Sequence, residues 1–185
     1  MKFTIHKFST NPINIIMKSF FTVFVAIWCA LTLFSCGESQ KNETNFNYEH
    51  SDIDDNQASE ILANYLKIKD ALVQSESEAA NKAAKNLVSN ISNNQSELLN
   101  NILEYAKHIA KSNDIEYQRG NFKGLSETIY KWVKETNKSN QKLYKQFCPM
   151  AFNNEGAYWL SAEKEVYNPY YGDKMLHCGS VKEEL

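Results

Sequence analysis

The sequence predicts an α+β protein: an antiparallel four-helix bundle followed by a small C-terminal β-hairpin and irregular appendix. Three observations predict it. Helix-capping signals arrive four times in succession between Asp54 and Glu116. Behind each of them apolar residues recur at the spacing of one helical face. After Asn137 that period stops, and short aromatic runs punctuated by Asn, Pro and Gly take its place.

The first capping box runs from Asp54 to Gln57, and Ile61, Tyr65, Ile68 and Leu72 follow it on one face. In such a box a polar side chain takes a free N–H of the first turn while the residue three further on reaches back. The second, Ser75 to Glu78, precedes Ala80, Ala84, Leu87 and Ile91. The third, Asn94 to Glu97, precedes Leu98, Ile102, Tyr105 and Ile109. The fourth, Asn113 to Glu116, precedes Ile115, Phe122, Leu125, Ile129 and Trp132. Short links between such helices make neighbours antiparallel. Gly120 and Gly124 lie inside the fourth helix, where they weaken it or admit a close neighbour. Arg119 falls on the apolar stripe and Asp70 on the equivalent edge of the first helix, so an ion pair that sets helix register is expected between them. His108 turns away from the apolar face and is expected in solvent.

Beyond the helices, which span about 57–137, residues 138–185 form the appendix. "KLYKQF" and "AYWLS" read as a hairpin around "NNEG", and turns at Asn168-Pro169 and Gly172 lead into a last short strand.

Residues before the bundle read differently. "MKSFFTVFVAIWCALTLFSCG" opens on Met17 and Lys18 and stays uncharged from Phe20 to Phe34. An apolar run this short after a basic start has the form of a signal peptide, not a membrane span. Leu33-Phe34-Ser35-Cys36 is similar to the lipobox of bacterial lipoproteins, which makes Cys36 the lipidated first residue. The alternative is an uncleaved N-terminal anchor. Because Met17 alone supplies a complete basic start, translation begins at either Met1 or Met17. The chain thus divides into a signal peptide (1–36), a flexible polar tether (37–56) and one domain (57–185). A tether of that composition cannot offset its ordering entropy, and as a coil it would reach on the order of 25 Å.

Composition narrows the function. The net charge is −2 without any block of Lys or Arg, so no nucleic acid is expected as partner. No glycine-rich phosphate loop, paired catalytic carboxylates or Ser, His and Asp set with motif context is present, and the expected role is binding, not catalysis.

The chemistry-bearing residues are gathered in one segment, Gln146 to Gly179. Outside the signal peptide the chain keeps Cys148, Met150, Met175 and Cys178, with Cys36 reserved for lipid. Thiolate and thioether sulfur select Cu(I) among metal ions, and the neighbouring imidazole of His177 suits copper or zinc. An exported protein with two free cysteines is equally suited to a disulfide. Joining Cys148 to Cys178 would close a loop of about 30 residues and contribute roughly 3.5 kcal/mol in the chain-entropy model. Inert thiols are the third reading. Trp159, Tyr158, Tyr167 and Tyr170 between them read as packing for the appendix, or else as a hydrophobic lid over a metal.

"YLKIKDALV" (Tyr65 to Val73), "QRGNFKGLS" (Gln118 to Ser126), "CPMA" (Cys148 to Ala151), "WLS" (Trp159 to Ser161), "NPYYG" (Asn168 to Gly172) and "MLHCG" (Met175 to Gly179) together resemble the family catalogued as domain of unknown function 3347. Proteins resembling it occur as small bacterial lipoproteins and as an extra domain on periplasmic adaptors of heavy-metal efflux pumps. The resemblance implies a setting, soft-metal handling in the periplasm, and a ligand set of Cys148, Met150, Met175 and Cys178. His177 stands where the motif is free. The expectation is a lipoprotein of the cell envelope, anchored to the outer membrane and facing the periplasm, that binds Cu(I) or Ag(I) in homeostasis or efflux. The alternative is a module that docks on an envelope or efflux complex, with a Cys148–Cys178 disulfide stapling its surface.

Overall fold

The computed structural model describes residues 53–91 and 96–185. The expected signal peptide, the expected lipidation site Cys36 and most of the expected tether lie outside the described residues. Four helices come first: α1 (Asp55–Val73), α2 (Ser77–Asn90), α3 (Glu97–Ala110) and α4 (Ile115–Thr136). A sheet follows, built from β1 (Tyr144–Cys148), β2 (Ala157–Ser161) and β3 (Ser180–Glu184), with a 3₁₀ turn at Gly172–Lys174 before the last strand. The α+β class and the helical bundle are as the periodicity predicts.

The bundle forms because each helix has one apolar face to hide. Ile61, Tyr65, Ile68 and Leu72 of α1 are all buried, as are Phe122, Leu125, Ile129 and Trp132 of α4. Burying one such side chain contributes about 1.5–3 kcal/mol. Each helix packs mainly on the next, and α4 returns to α1. In α3 the face is rotated from the expected one: Leu99 and Ala106 are buried, while Leu98 and Tyr105 sit at its margin. Two adjacent leucines leave the period ambiguous by one residue, and packing decides. The ordered domain also begins earlier than position 57, because Ile53 is buried in the core and its carbonyl accepts a bond from the Lys138 ammonium.

The caps shift by a residue in two places. Asp54 accepts from the Gln57 N–H as expected, at 2.7 Å. Ser75 does not cap α2: it takes a left-handed conformation (φ 59°) to end α1, and Glu76 stands at the N-cap without a side-chain bond. Helix α3 is capped by Ser96, whose oxygen accepts from Leu99 N–H, and the expected Asn94 lies outside the described residues. At α4 the carboxylate of Asp114, one residue after the expected Asn113, accepts from the Glu116 and Tyr117 N–H groups.

Within α4, Gly124 is the close-approach position. A Cβ there would lie 2.4 Å from the Tyr105 ring, so the glycine is what lets α3 lay that ring on α4. His108 is partly exposed and its Nδ1 pairs with the Tyr117 hydroxyl at 2.8 Å.

The sheet order is β2-β1-β3, antiparallel throughout, so β1 is central. The expected hairpin is present, with β2 at "AYWLS", but its turn is longer than "NNEG". It runs from Pro149 to Gly156 and places Phe152, Asn153 and Asn154 in the left-handed region. On the outer edge of β2, the Leu160 N–H donates to the Tyr65 hydroxyl (2.9 Å), and the Tyr158 carbonyl accepts from the Tyr170 hydroxyl (2.5 Å). These tyrosines also join the two parts of the domain. Tyr65 stacks on Phe122 (5.3 Å between centroids), Phe122 meets Tyr170 (6.0 Å), and Tyr170 meets Trp159 edge-on (5.8 Å).

Arg119 makes the polar join. It is buried at 3% exposure and bonds to Pro169 O (Nε, 3.0 Å), Leu72 O and Ser75 Oγ (Nη2, 3.1 and 3.0 Å), and Glu116 (Nη1, 2.9 Å). The expected Arg119–Asp70 pair is absent. Asp70 pairs instead with Lys69 at 2.5 Å. A helix-face count could not foresee the loop carbonyl of Pro169, which comes from 50 residues away in sequence.

Candidate metal centre: a thiol pair at the sheet

The sequence places Cys148 at the last position of the central strand and Cys178 just before β3, and antiparallel pairing of those strands brings them together. Phe147 faces Ser180 across the β1–β3 ladder, so the residues flanking that pair meet at the same end of the sheet. The two sulfurs lie 3.0 Å apart as free thiols. That separation exceeds an S–S bond of about 2.05 Å, and it is close enough for one thiol to donate to the other. Cys148 is fully buried and Cys178 half-buried. The shared contact with Cys148 raises the Cys178 thiol above its ordinary pKa, with burial and the Cys148 charge adding to it, while the backbone of Met150 pulls the other way.

The remaining predicted site residues are Met150, Met175 and His177. Met150 sits in the turn after Pro149, 45% exposed, and Met175 is half-buried at the end of the 3₁₀ turn. Neither belongs to the hydrophobic core or to the apolar side chains packed against it. His177 is exposed, and its Nδ1 lies 2.9 Å from the Val166 carbonyl. A carbonyl only accepts, so Nδ1 carries the hydrogen and Nε2 of the neutral ring keeps its lone pair. Among the described residues no three of Cys, His, Asp and Glu come together as a metal-ligand set, so His177 does not join the two cysteines in one.

Of the aromatic residues expected as packing or lid, Trp159 and Tyr170 are buried, Tyr167 is half-buried and Tyr158 is 38% exposed. Two neighbours of the thiols were not singled out by sequence. Tyr171 donates from its hydroxyl to Met150 O at 2.6 Å, and burial followed by the charges of Cys148 and Cys178 raises its phenol pKa. Asn168, fully buried, donates to the Cys178 carbonyl at 2.9 Å. The tandem tyrosines of "NPYYG" carry no signal to distinguish the one that packs from the one that bonds.

A second concave feature, a cleft of about 450 Å³, opens between α1 and the loop after β2. Its floor is the buried Lys69 ammonium, bonded to Glu163 (3.0 Å) and Ser161 (3.5 Å), with Asp70, Tyr167 and Asp173 around it. Three oxygens, from Asp70, Glu163 and Ser161, surround the Lys69 nitrogen, and neither cysteine lines this cleft.

Fold and site together define a helical bundle that carries a dithiol on a C-terminal three-stranded sheet. Residues 61–141, most of the bundle, match the model of the family described as Protein of unknown function (DUF3347). The matched residues take in "YLKIKDALV" and "QRGNFKGLS" and end at Gln141, before β1 begins. "CPMA", "WLS", "NPYYG" and "MLHCG" lie beyond them. Comparison with curated proteins and with solved structures gives no match.

Proposed function

We propose that the protein binds a soft heavy-metal ion, Cu(I) or Ag(I), at the Cys148–Cys178 pair as a lipid-anchored protein of the cell envelope. The observation that carries this reading is the contact of two thiols from distant points of the chain, in a segment whose two methionines the core does not use. Thiolate and thioether are the donors that favour Cu(I) over hard cations. The ion is cargo, taken up and released, and Met150 at the surface is the group an incoming carrier would meet first. The raised Cys178 thiol fits a proton-holding pair that a soft ion displaces. It fits a thiolate nucleophile less well, since such cysteines have lowered values.

The test is competition for Cu(I) against a chelator with the thiols reduced. Met150→Leu with Met175→Leu conserves volume and should weaken binding. Unchanged affinity in that double variant, or no binding by the wild type, refutes the proposal.

A second reading is favoured by the sulfur spacing itself: oxidation would give a disulfide-stapled module that docks on an envelope or efflux complex. Loss of partner capture on reduction, with no metal bound, would select it.

A further inference from the structure

Between the two thiol arms lies the segment Asn168–Gly172, and its polar groups bond to both. Asn168 donates from Nδ2 to the Cys178 carbonyl (2.9 Å), accepts the Tyr170 N–H at Oδ1 (2.8 Å), and gives its own N–H to Leu176 O (2.8 Å). Both polar atoms of its side chain therefore have a partner, and the residue is fully buried, which fixes the Cys178 backbone to a rigid point. Three residues on, the Tyr171 hydroxyl holds the Met150 carbonyl (2.6 Å), two residues beyond Cys148. Pro169 ties the segment to α4 through Arg119 (3.0 Å).

We propose that Asn168 and Tyr171 are positioning residues of the dithiol: Asn168 fixes the Cys178 arm, Tyr171 fixes the Cys148–Met150 arm, and together they set the sulfur spacing. The proposal rests on the soft-metal reading for its cargo and on geometry for the clamp. Metal–ligand bonds tolerate errors of only about 0.2 Å, so a site made of two arms depends on whatever holds the arms in register. Tyr171 is the more informative of the two. Its bond is to an exposed carbonyl that water satisfies once the hydroxyl is gone, so its removal should alter position without unfolding the domain.

The experiment compares the full chain in detergent with Tyr171→Phe by thermal unfolding, by Cu(I) competition, and by equilibration of the reduced thiols with glutathione disulfide. In the last, Cys148 and Cys178 form an S–S bond, the glutathione disulfide bond breaks, and each thiol proton ends on a glutathione sulfur. The variant should melt like the wild type, hold Cu(I) about 10-fold more weakly, as outer-shell partners of metal sites do, and form its disulfide less readily. Equal Cu(I) affinity and an equal glutathione equilibrium overturn the proposal, and so does a large drop in melting temperature, which makes Tyr171 merely structural. Should the wild type take no Cu(I), the metal reading falls by itself; the glutathione equilibrium then decides the clamp, upheld if shifted in the variant and overturned if not.

Discussion

Replacing Arg119 with Met removes the polar join between bundle and sheet while keeping a side chain of similar length. The Pro169 carbonyl, buried with Arg119 as its donor, is left without a partner at a cost of about 1–3 kcal/mol. Leu72 O keeps the Ser75 N–H but loses a charge-assisted bond of about 1.5–3 kcal/mol. The Glu116 contact adds little, because that carboxylate is largely exposed. The expected loss is therefore about 3–5 kcal/mol, a large part of the roughly 5–15 kcal/mol that holds an ordinary domain. Urea unfolding at neutral pH, followed by far-UV circular dichroism, measures it. Arg119→Lys keeps the charge but not the fork of donors and should recover less than half. Asp70→Asn, which would mimic the loss if Arg119 paired with Asp70, should change stability by no more than about 1 kcal/mol. A loss below about 1 kcal/mol in Arg119→Met, or a larger one in Asp70→Asn, refutes the reasoning.

Gly172→Ala should destabilise by about 1–3 kcal/mol in the same assay. The residue holds φ 56°, and a Cβ there would lie 2.6 Å from Ser75 Oγ and 2.9 Å from Arg119 Nη2; a neutral result would show that the loop can move aside. Glu163 is pushed up by burial but more strongly down by its bonds from Ser161 and Lys69, and its net pKa is lowered. A lowered folded-state value gives stability that is present above the unfolded carboxylate pKa and lost as pH falls through the folded one. Glu163→Gln should therefore flatten the acid limb of a denaturant midpoint against pH, and an unchanged limb would contradict the assignment. Cys36→Ala should move the protein from membranes to the soluble fraction, because the acyl chains are the anchor in this reading; a variant that stays with membranes, its apolar segment uncleaved, selects the N-terminal anchor instead.

The long periodic stretches were the legible part of the fold. A face such as Ile61, Tyr65, Ile68 and Leu72 admits only one helical reading, and all of it is buried. Boundaries were less so, since Ser75, Glu76 and Ser77, or Asn113 and Asp114, offer competing caps within one turn, and the chain's need to end α1 at Ser75 decides between them. Likewise the partner of β3 is a long-range matter. The sequence indicated a last strand, but its place beside β1 is what joins the cysteines, and no local pattern encodes it. The confinement of sulfur to two short stretches was visible, and the two cysteines among those residues meet. What surrounds the thiols was not, because Asn168 and Tyr171 act through backbone groups of Cys178 and Met150, and side-chain patterns do not report backbone contacts.

The hydroxyls of Tyr65 and Tyr170 on the rim of β2 bear on how the molecule behaves in a crowd. A strand rim with free N–H and C=O groups is a template on which another chain can grow a sheet. Here the Leu160 and Tyr158 groups that would receive such a strand already hold partners supplied from α1 and from the covering loop. On the opposite rim, β3 carries Lys182, Glu183 and Glu184, the last two paired with Lys134, Lys142 and Lys164, and charged side chains along an edge strand disfavour pairing with another chain. A strand arriving at the β2 rim would have to displace the Tyr65 and Tyr170 hydroxyls first, so on that side the sheet is closed to further growth.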